Sequence, residues 1–240
     1  MNSLDRKIIS GLDFHKILKQ AASSSSSKII TFVNPFSYEK LRISNHLIAK
    51  LDYVFSDGSL LCFFNNLFKK RKITRASFDY SSVANEVLNF AETQKRKVAL
   101  IGATEEEIQS AVKALISRHK NLNIVFSRNG YFNNSEEKNE ALTNISISKA
   151  DLVIIGMGSP LQEEFSILIK ESIKERLLIF TCGGFLSQTS KNINYYHPII
   201  ITLGLRWLQR LFLHKHVRQK FFKYYPKFII NYLRTNIYKN

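Results

Sequence analysis

The chain has 240 residues, of which 45% are apolar, so it can bury one large core or two small ones and is not intrinsically disordered. Its two cysteines, Cys62 and Cys182, are too few for a disulfide framework or a cysteine-built zinc site. They fit a reducing compartment, and residues 1–14 contain no apolar stretch of signal-peptide length, so we expect a cytoplasmic protein.

The net charge of +16 is concentrated toward the C-terminus. Eleven of the 35 basic residues lie in residues 176–240, whereas all 19 acidic residues lie before residue 176. Such an asymmetry indicates a polyanionic partner, which would be nucleic acid, an anionic lipid surface or a phosphorylated substrate.

The first half of the chain opens with residues 1–27, predicted to be a peripheral segment that holds a short helix and ends in five serines. Short apolar runs then alternate with longer stretches of helical periodicity. This pattern predicts strands at 28–33 and 51–56 and helices at 35–50, 59–70 and 81–94.

The second half repeats the alternation more regularly. Apolar runs of strand length between helical stretches predict parallel β-α-β units whose sheet is covered on both faces. We therefore expect an α/β fold with a doubly wound, mostly parallel Rossmann-like sheet over residues 28–194. The predicted strands of this half are 97–101, 123–126, 151–155 and 177–181, and the predicted helices begin at 104, 136 and 161.

Residues 195–240 break the alternation. Aromatic and aliphatic residues alternate there with Lys and Arg at near-helical spacing, which predicts two or three basic amphipathic helices broken near Pro226. We expect them to form a C-terminal helical appendage to the α/β domain.

Glycine is frequent where the predicted strands end, and in open α/β sheets ligands bind beyond these carboxyl ends. Gly102, Gly130, Gly156 and Gly158 would let the backbone approach a phosphate or a sugar. The chain has neither the G-x-G-x-x-G fingerprint nor a P-loop lysine motif, which argues against NAD and against a P-loop NTPase.

Asp57 is the strongest candidate for chemistry. A carboxylate at a strand end would point into the ligand crevice and could act as a general base, but it could equally cap the next helix. Thr31 and Asn34 are either ligand contacts or turn formers. Gln162 and Glu163 lie near a helix start, where an amide often faces solvent and an acid favours the helix dipole.

The segment DLVIIGMGSPLQE at residues 151–163 resembles the signature of the TagA/WecG/CpsF glycosyltransferases. Four further segments resemble family landmarks and follow in the family order: residues 31–38, 56–58, 130–132 and 204–211. Each segment alone is weakly specific, but together they cover roughly residues 28–220.

The resemblance implies a bacterial enzyme of cell-surface polysaccharide synthesis that inverts the anomeric carbon and needs no metal and no cofactor. Its donor would be a UDP-sugar carrying an N-acetylmannosamine- or N-acetylmannosaminuronate-like sugar, and its acceptor a polyprenyl-diphosphate-linked saccharide. The enzyme would be peripheral at the inner face of the plasma membrane and bind the anionic surface through residues 206–240. Self-association into a homo-oligomer stays open.

The resemblance also implies roles for individual residues. Asp57 would be the general base, Thr31 a catalytic residue in contact with substrate, and Gln162 a neighbour of the donor sugar. The appendage would complete the active site, with Arg210 and Arg218 holding the diphosphate. The remaining substrate-binding residues expected from the strand ends and the motifs are Asn34, Arg75, Gly102, Gly130, Tyr131, Gly156, Gly158 and Glu163.

The chain departs from the family pattern at residues 195–198, at Arg206 and at residues 214–218, so its specificity is expected to differ from that of better-known members. Two other hypotheses stay open. One is a non-catalytic nucleotide-sugar-binding scaffold of the same fold. The other is a nucleic-acid-binding α/β protein, which is not expected because the α/β domain has no nucleic-acid-binding motif.

Overall fold

The computed structural model describes residues 3–192, 200, 212 and 215–237. Its first half begins with a short helix and a two-residue strand before the regular alternation starts. The elements of this half are α1 (Ser3–Lys7), β1 (Ile8–Ile9), a 3-10 turn (Gly11–Asp13), α2 (Phe14–Ser23), β2 (Lys28–Val33), α3 (Pro35–Leu41), α4 (Asn45–Lys50), β3 (Tyr53–Ser56), α5 (Ser59–Phe68) and α6 (Ala84–Thr93).

The second half alternates strands with longer helices and ends in a long helix at the C-terminus. Every strand that the sequence predicts is present, with its ends within two residues of the predicted ones. The elements of this half are β4 (Lys97–Gly102), α7 (Glu105–Arg118), β5 (Asn123–Arg128), α8 (Ser135–Ile147), β6 (Leu152–Gly156), α9 (Leu161–Ser172), β7 (Leu178–Thr181), α10 (Phe185–Thr189) and α11 (Lys215–Ile237).

The strands of the described residues form one parallel sheet in the order β1-β3-β2-β7-β6-β4-β5. Successive residues of a strand belong to different hydrophobic clusters, Ile29 to one and Ile30 to the other, so helices cover both faces. From β4 the chain moves out to β5 and returns on the other side of β4 as β6. This reversal confirms the doubly wound α/β fold, and ligands of such folds bind at this point.

The prediction that residues 1–27 form a peripheral segment is wrong. Ile8 of β1 pairs with Val54 of β3, so this segment supplies an edge strand of the sheet. Phe14 and Leu18 of α2 are each only 2% exposed, because one face of this amphipathic helix packs on the sheet.

The prediction of a single helix at residues 35–50 is also wrong, because this segment forms two helices, α3 and α4. Ser44, which precedes α4, has φ −113° and ψ 70°, outside the helical region. Serine competes with helical hydrogen bonding, and a turn here lets Leu41 and Ile48 both reach the core.

The predicted break near Pro226 is absent, since α11 runs through this proline from Lys215 to Ile237. A proline inside a helix costs about 3 kcal/mol. Phe228 and Tyr232, 0% and 1% exposed, offset this cost by packing on Tyr38 of α3, with ring centroids 5.3 and 5.8 Å away. Helix α11 therefore shares the core of the α/β domain.

Among the described residues, none of the helices has both the length and the apolar character needed to cross a bilayer.

Candidate active site

A cleft of about 350 Å³ lies at the carboxyl ends of the strands, where the strand order reverses. It is bounded by the loops after β2, β3, β4, β5, β6 and β7 and by one side of α11. Most of the predicted site residues meet there although they are far apart in sequence. Those that line the cleft are Asn34, Asp57, Gly130, Tyr131, Gly156, Gly158 and Gln162.

Asp57 lines this cleft and is held from behind by Arg75. The Arg75 Nη2 lies 2.9 Å from Asp57 Oδ1, and Arg75 Nε donates a hydrogen bond of 2.8 Å to the Asp57 carbonyl oxygen. The alternative role of Asp57 as a helix cap is wrong, because Gly58 is the N-cap of α5 and no side chain caps that helix. Asp57 is therefore an oriented carboxylate facing the cleft.

Arg75 also bonds a second carboxylate, Asp79, through Nη2 at 2.9 Å. Burial alone would raise the pKa of Asp79, but the charge of Arg75 and hydrogen bonds from Ser81 and Ser77 outweigh burial and lower it. Asp79 lines the cleft beside Asp57. Sequence reasoning missed Asp79 as a site residue, because it lies in the loop between α5 and α6 and does not follow a strand.

Arg75 lies behind the carboxylates of the cleft, and its predicted contact with substrate stays a prediction. It is not among the residues that line the cleft, and its guanidinium lies between Asp57 and Asp79. The arginine therefore orients two cleft carboxylates and balances their charge.

Glu163 and Thr31 form a buried network beneath the cleft. Both are 0% exposed, and Glu163 Oε1 accepts hydrogen bonds from Thr31 Oγ1 at 2.9 Å, Ser159 Oγ at 2.9 Å and Gln162 Nε2 at 3.0 Å. Burial raises the pKa of Glu163, against the opposing effect of these three donors. Neither side chain lines the cleft, so the predicted substrate contacts of Thr31 and Glu163 stay predictions.

Gln162 is fixed in orientation by this network. Its Oε1 accepts a hydrogen bond of 3.1 Å from the Gly183 amide, while its Nε2 donates to Glu163. It is 3% exposed, so the alternative of a solvent-facing amide is wrong. Since Nε2 carries two hydrogens, one remains for a ligand in the cleft that Gln162 lines.

Glu163 to Met is therefore expected to impair turnover without preventing folding. Methionine has a similar length but no carboxylate oxygen, so Gln162 Nε2, Ser159 and Thr31 lose the acceptor they share at Oε1, and the Gln162 amide is no longer held in its present orientation. We expect kcat/KM for the sugar donor to fall roughly tenfold. The matched control is Glu164 to Met, which changes an exposed neighbour. Equal kinetics for the two variants would contradict the positioning role.

The glycines at the strand ends serve two different needs. Gly102 has φ +151°, and a Cβ there would lie 2.5 Å from the Gly156 carbonyl oxygen, so this glycine allows β4 and β6 to approach. Gly102 does not line the cleft although the next residue, Ala103, does, and its predicted substrate contact stays a prediction. Gly158 has φ +76° and open space around it, so it shapes the loop that faces the ligand.

Asn34 combines the two roles that the sequence left open. Its Oδ1 accepts hydrogen bonds from the amides of Phe36 and Ser37 and so caps α3. The residue lines the cleft as well. Tyr131, 68% exposed, lies at the cleft on the loop after β5.

Helix α11 supplies an aromatic wall that the sequence did not identify as part of the site. Phe221 and Tyr225, with ring centroids 4.3 Å apart, line the cleft. Arg218 lies about one turn before them, is exposed, and its Nη1 is 3.4 Å from the Phe212 carbonyl oxygen. Arg218 does not line the cleft, and Arg210 lies outside the described residues.

The side chains of the described residues that line the cleft carry a negative charge. Asp57, Asp79 and Glu107 line it, and no Lys or Arg does among the described residues. Nor do the described residues contain a group of three or more His, Cys, Asp or Glu side chains that could hold a metal ion.

Comparison with known proteins identifies the class. The model of the WecG/TagA/CpsF glycosyl transferase family matches residues 4–240, so the chain belongs to this family. It is a bacterial glycosyltransferase, more narrowly a hexosyltransferase. Family membership favours the enzyme over the scaffold and nucleic-acid hypotheses.

The chain is similar to relatives whose names give different activities, as three of them show. A UDP-Gal:alpha-D-GlcNAc-diphosphoundecaprenol beta-1,4-galactosyltransferase of Shigella boydii is 44% identical over 211 residues, 88% of each chain. An N-acetylglucosaminyldiphosphoundecaprenol N-acetyl-beta-D-mannosaminyltransferase of Bacillus subtilis is 26% identical over 86% of this chain and 79% of its own. A protein of the same name from Staphylococcus aureus is 27% identical over 68% of this chain and 62% of its own.

Proposed function

We propose that this enzyme transfers a hexose from a UDP-sugar to a polyprenyl-diphosphate-linked N-acetylglucosamine in cell-surface polysaccharide synthesis. The observation that carries the proposal is the Asp57 carboxylate, oriented by Arg75 in a cleft at the strand reversal. The three relatives described above support the acceptor, because each of their names specifies an N-acetylglucosaminyl diphosphoundecaprenol.

The donor we propose is UDP-galactose. The sequence motifs favour an N-acetylmannosamine-like sugar, as in the relatives from Bacillus and Staphylococcus, but these are only 26–27% identical. The galactosyltransferase of Shigella boydii is 44% identical over 88% of the chain, which is a stronger guide to the sugar. UDP-N-acetylmannosamine is the second candidate.

The proposed mechanism is a single displacement with inversion. Asp57 Oδ1 is bonded by Arg75, and Oδ2 makes no hydrogen bond within the described residues, so Oδ2 can accept the proton of the acceptor hydroxyl. The deprotonated oxygen then attacks the anomeric carbon as UDP leaves. Gln162 Nε2 is oriented to donate to the donor sugar.

The departing diphosphate needs positive charge. Since no Lys or Arg of the described residues lines the cleft, the basic C-terminal segment is the proposed source of these cations. Arg218 and Arg210 are the candidates that we propose, and Arg218 lies about one helical turn before Phe221 of the aromatic wall.

The reaction is proposed to need no divalent metal. The guanidinium of Arg75 lies between the cleft carboxylates of Asp57 and Asp79 and already balances their charge. We expect excess EDTA to leave the initial rate within about twofold of the untreated enzyme. Complete loss of activity that Mn²⁺ or Mg²⁺ restores would contradict this part of the mechanism.

Because the proposed acceptor is anchored in lipid, the enzyme is proposed to act as a peripheral protein at the inner face of the plasma membrane. The outward side of α11 carries exposed Phe222, Lys223 and Lys227, a basic amphipathic pattern suited to an anionic leaflet.

The test is a UDP-release assay with a short-chain lipid-diphosphate N-acetylglucosamine as acceptor. The donors compared are the UDP derivatives of galactose, glucose, N-acetylglucosamine, N-acetylmannosamine and N-acetylmannosaminuronate. We expect acceptor-dependent release that is fastest with UDP-galactose. Release fastest with UDP-N-acetylmannosamine would replace the donor, and no acceptor-dependent release from any donor would contradict the proposed function.

A further inference from the structure

Helix α5 exposes two large apolar side chains that the fold does not use. Phe63 and Leu67 are 60% and 61% exposed, although Leu61, Cys62 and Phe64 of the same helix pack into the core. Residues four apart are neighbours on a helix surface, so the two side chains form one small apolar patch. An exposed patch of this kind marks a contact surface.

A run of bases follows this patch directly. Lys70, Arg71 and Lys72 are exposed, and none of them takes part in an ion pair among the described residues. The chain has no acidic residue between Asp57 and Asp79. Exposed apolar side chains next to uncompensated Lys and Arg are the chemistry that recognises an anionic lipid surface.

The patch lies next to α11, whose outer side has the same character. Phe64 of α5 contacts the rings of Phe228 and Tyr232 of α11, with centroids 6.0 and 5.9 Å apart. Because neighbouring helical residues point about 100° apart, Phe63 flanks this contact and does not lie opposite it. Helix α11 in turn exposes Phe222 and Ile230, 72% and 50% exposed, so each of these two adjacent helices presents apolar side chains to solvent.

We propose that residues 63–72 form a second membrane contact, in which Phe63 and Leu67 enter the headgroup–acyl boundary and Lys70, Arg71 and Lys72 bind anionic headgroups. A second copy of the chain would fit this surface less well than a membrane does. A twofold contact would bring the same three bases of each copy together, and their like charges would repel. This inference extends the proposed action at a membrane, but its test does not depend on the transfer reaction.

The test measures partition of the full-length protein onto vesicles containing about 30% phosphatidylglycerol in phosphatidylcholine. Each base near such a surface is worth about fivefold in binding. We expect the combined change of Lys70, Arg71 and Lys72 to Gln to weaken partition at least tenfold. The matched control changes Lys113, Lys120 and Lys138 to Gln, three exposed bases near the opposite, β5 edge of the sheet.

The apolar half of the contact is tested in the same way. Phe63 to Gln with Leu67 to Gln should weaken partition several-fold, whereas Ile116 to Gln with Ile147 to Gln, two exposed residues of α7 and α8, should not. Wild-type protein should bind vesicles of pure phosphatidylcholine much more weakly. All of these variants should keep wild-type turnover of the soluble acceptor, because none of the residues lines the cleft.

Partition of the site variants equal to that of their controls would overturn the inference and leave the proposed function untouched. The same holds if the Phe63 and Leu67 changes dissociate an oligomer in sedimentation without changing partition. If instead partition behaves as expected and the wild type transfers no sugar, the membrane contact stands and the proposed function fails.

Discussion

Asp57 to Asn is expected to lower kcat by about 10²–10⁴-fold while leaving UDP binding nearly unchanged. The asparagine keeps an oxygen for the hydrogen bond from Arg75 Nη2 but cannot take a proton from the acceptor hydroxyl. Steady-state kinetics with a soluble acceptor measure the loss, and calorimetric titration with UDP measures binding.

The control for this change is Asp79 to Asn, because Asp79 bonds the same arginine nitrogen and lines the same cleft. It should lower kcat less than tenfold, since Asp79 is not proposed to accept a proton in the reaction. A kcat of Asp57 to Asn within threefold of wild type, or an equal loss in both variants, would remove Asp57 from the role of base.

Arg75 to Met is expected to be the most destabilising of the proposed changes. It leaves the carboxylates of Asp57 and Asp79 without their cation, and Asp79 is 5% exposed. Removing one partner of a largely buried ion pair should cost about 2–4 kcal/mol in the free energy of unfolding. Turnover should also fall, because Asp57 loses its orientation.

The pH dependence of this loss follows from the pKa of Asp79. Arg75 holds that pKa below its usual range, so the associated stabilisation is present above the unfolded pKa of about 4 and is lost as the pH falls through the folded value. The difference between wild type and Arg75 to Met should therefore be full at pH 7 and shrink below about pH 4.

Urea unfolding at a series of pH values measures this difference. Arg71 to Met is the matched control, because Arg71 is exposed, lies on the same loop and forms no ion pair among the described residues. A loss from Arg75 to Met that matches the control, or that does not change with pH, would contradict the bridging role of Arg75.

The strands were predictable because each is a short apolar run buried on both faces, as in β2 and β6. Two features of the fold depend on contacts that a local pattern does not contain. Strand β1 has only two residues and exists because it pairs with β3. Helix α11 continues through Pro226 because Phe228 and Tyr232 pack against Tyr38, a residue far away in the sequence.

The site was predictable as far as position at a strand end decides it, which is why Asp57 was expected at the ligand crevice. Gln162 was expected near the donor sugar only from the family resemblance. The sequence did not show which of the site residues would be buried beneath the cleft. Thr31 donates a hydrogen bond to Glu163, which lies 132 residues later in the sequence, and both residues are buried. Arg75 was expected to face the substrate because the sequence does not show that Asp57 and Asp79 lie on either side of it.

The most direct test of the central claim, a single displacement for which Asp57 is the base, is the anomeric configuration of the transferred sugar. The lipid-linked product is made with UDP-galactose, in which the sugar is α-linked, and the configuration is measured from the anomeric coupling constant by NMR. A β linkage that the wild type forms and Asp57 to Asn forms only at a greatly reduced rate is the predicted result. An α linkage would mean retention of configuration, which a single displacement from the opposite face does not give, and would contradict the account.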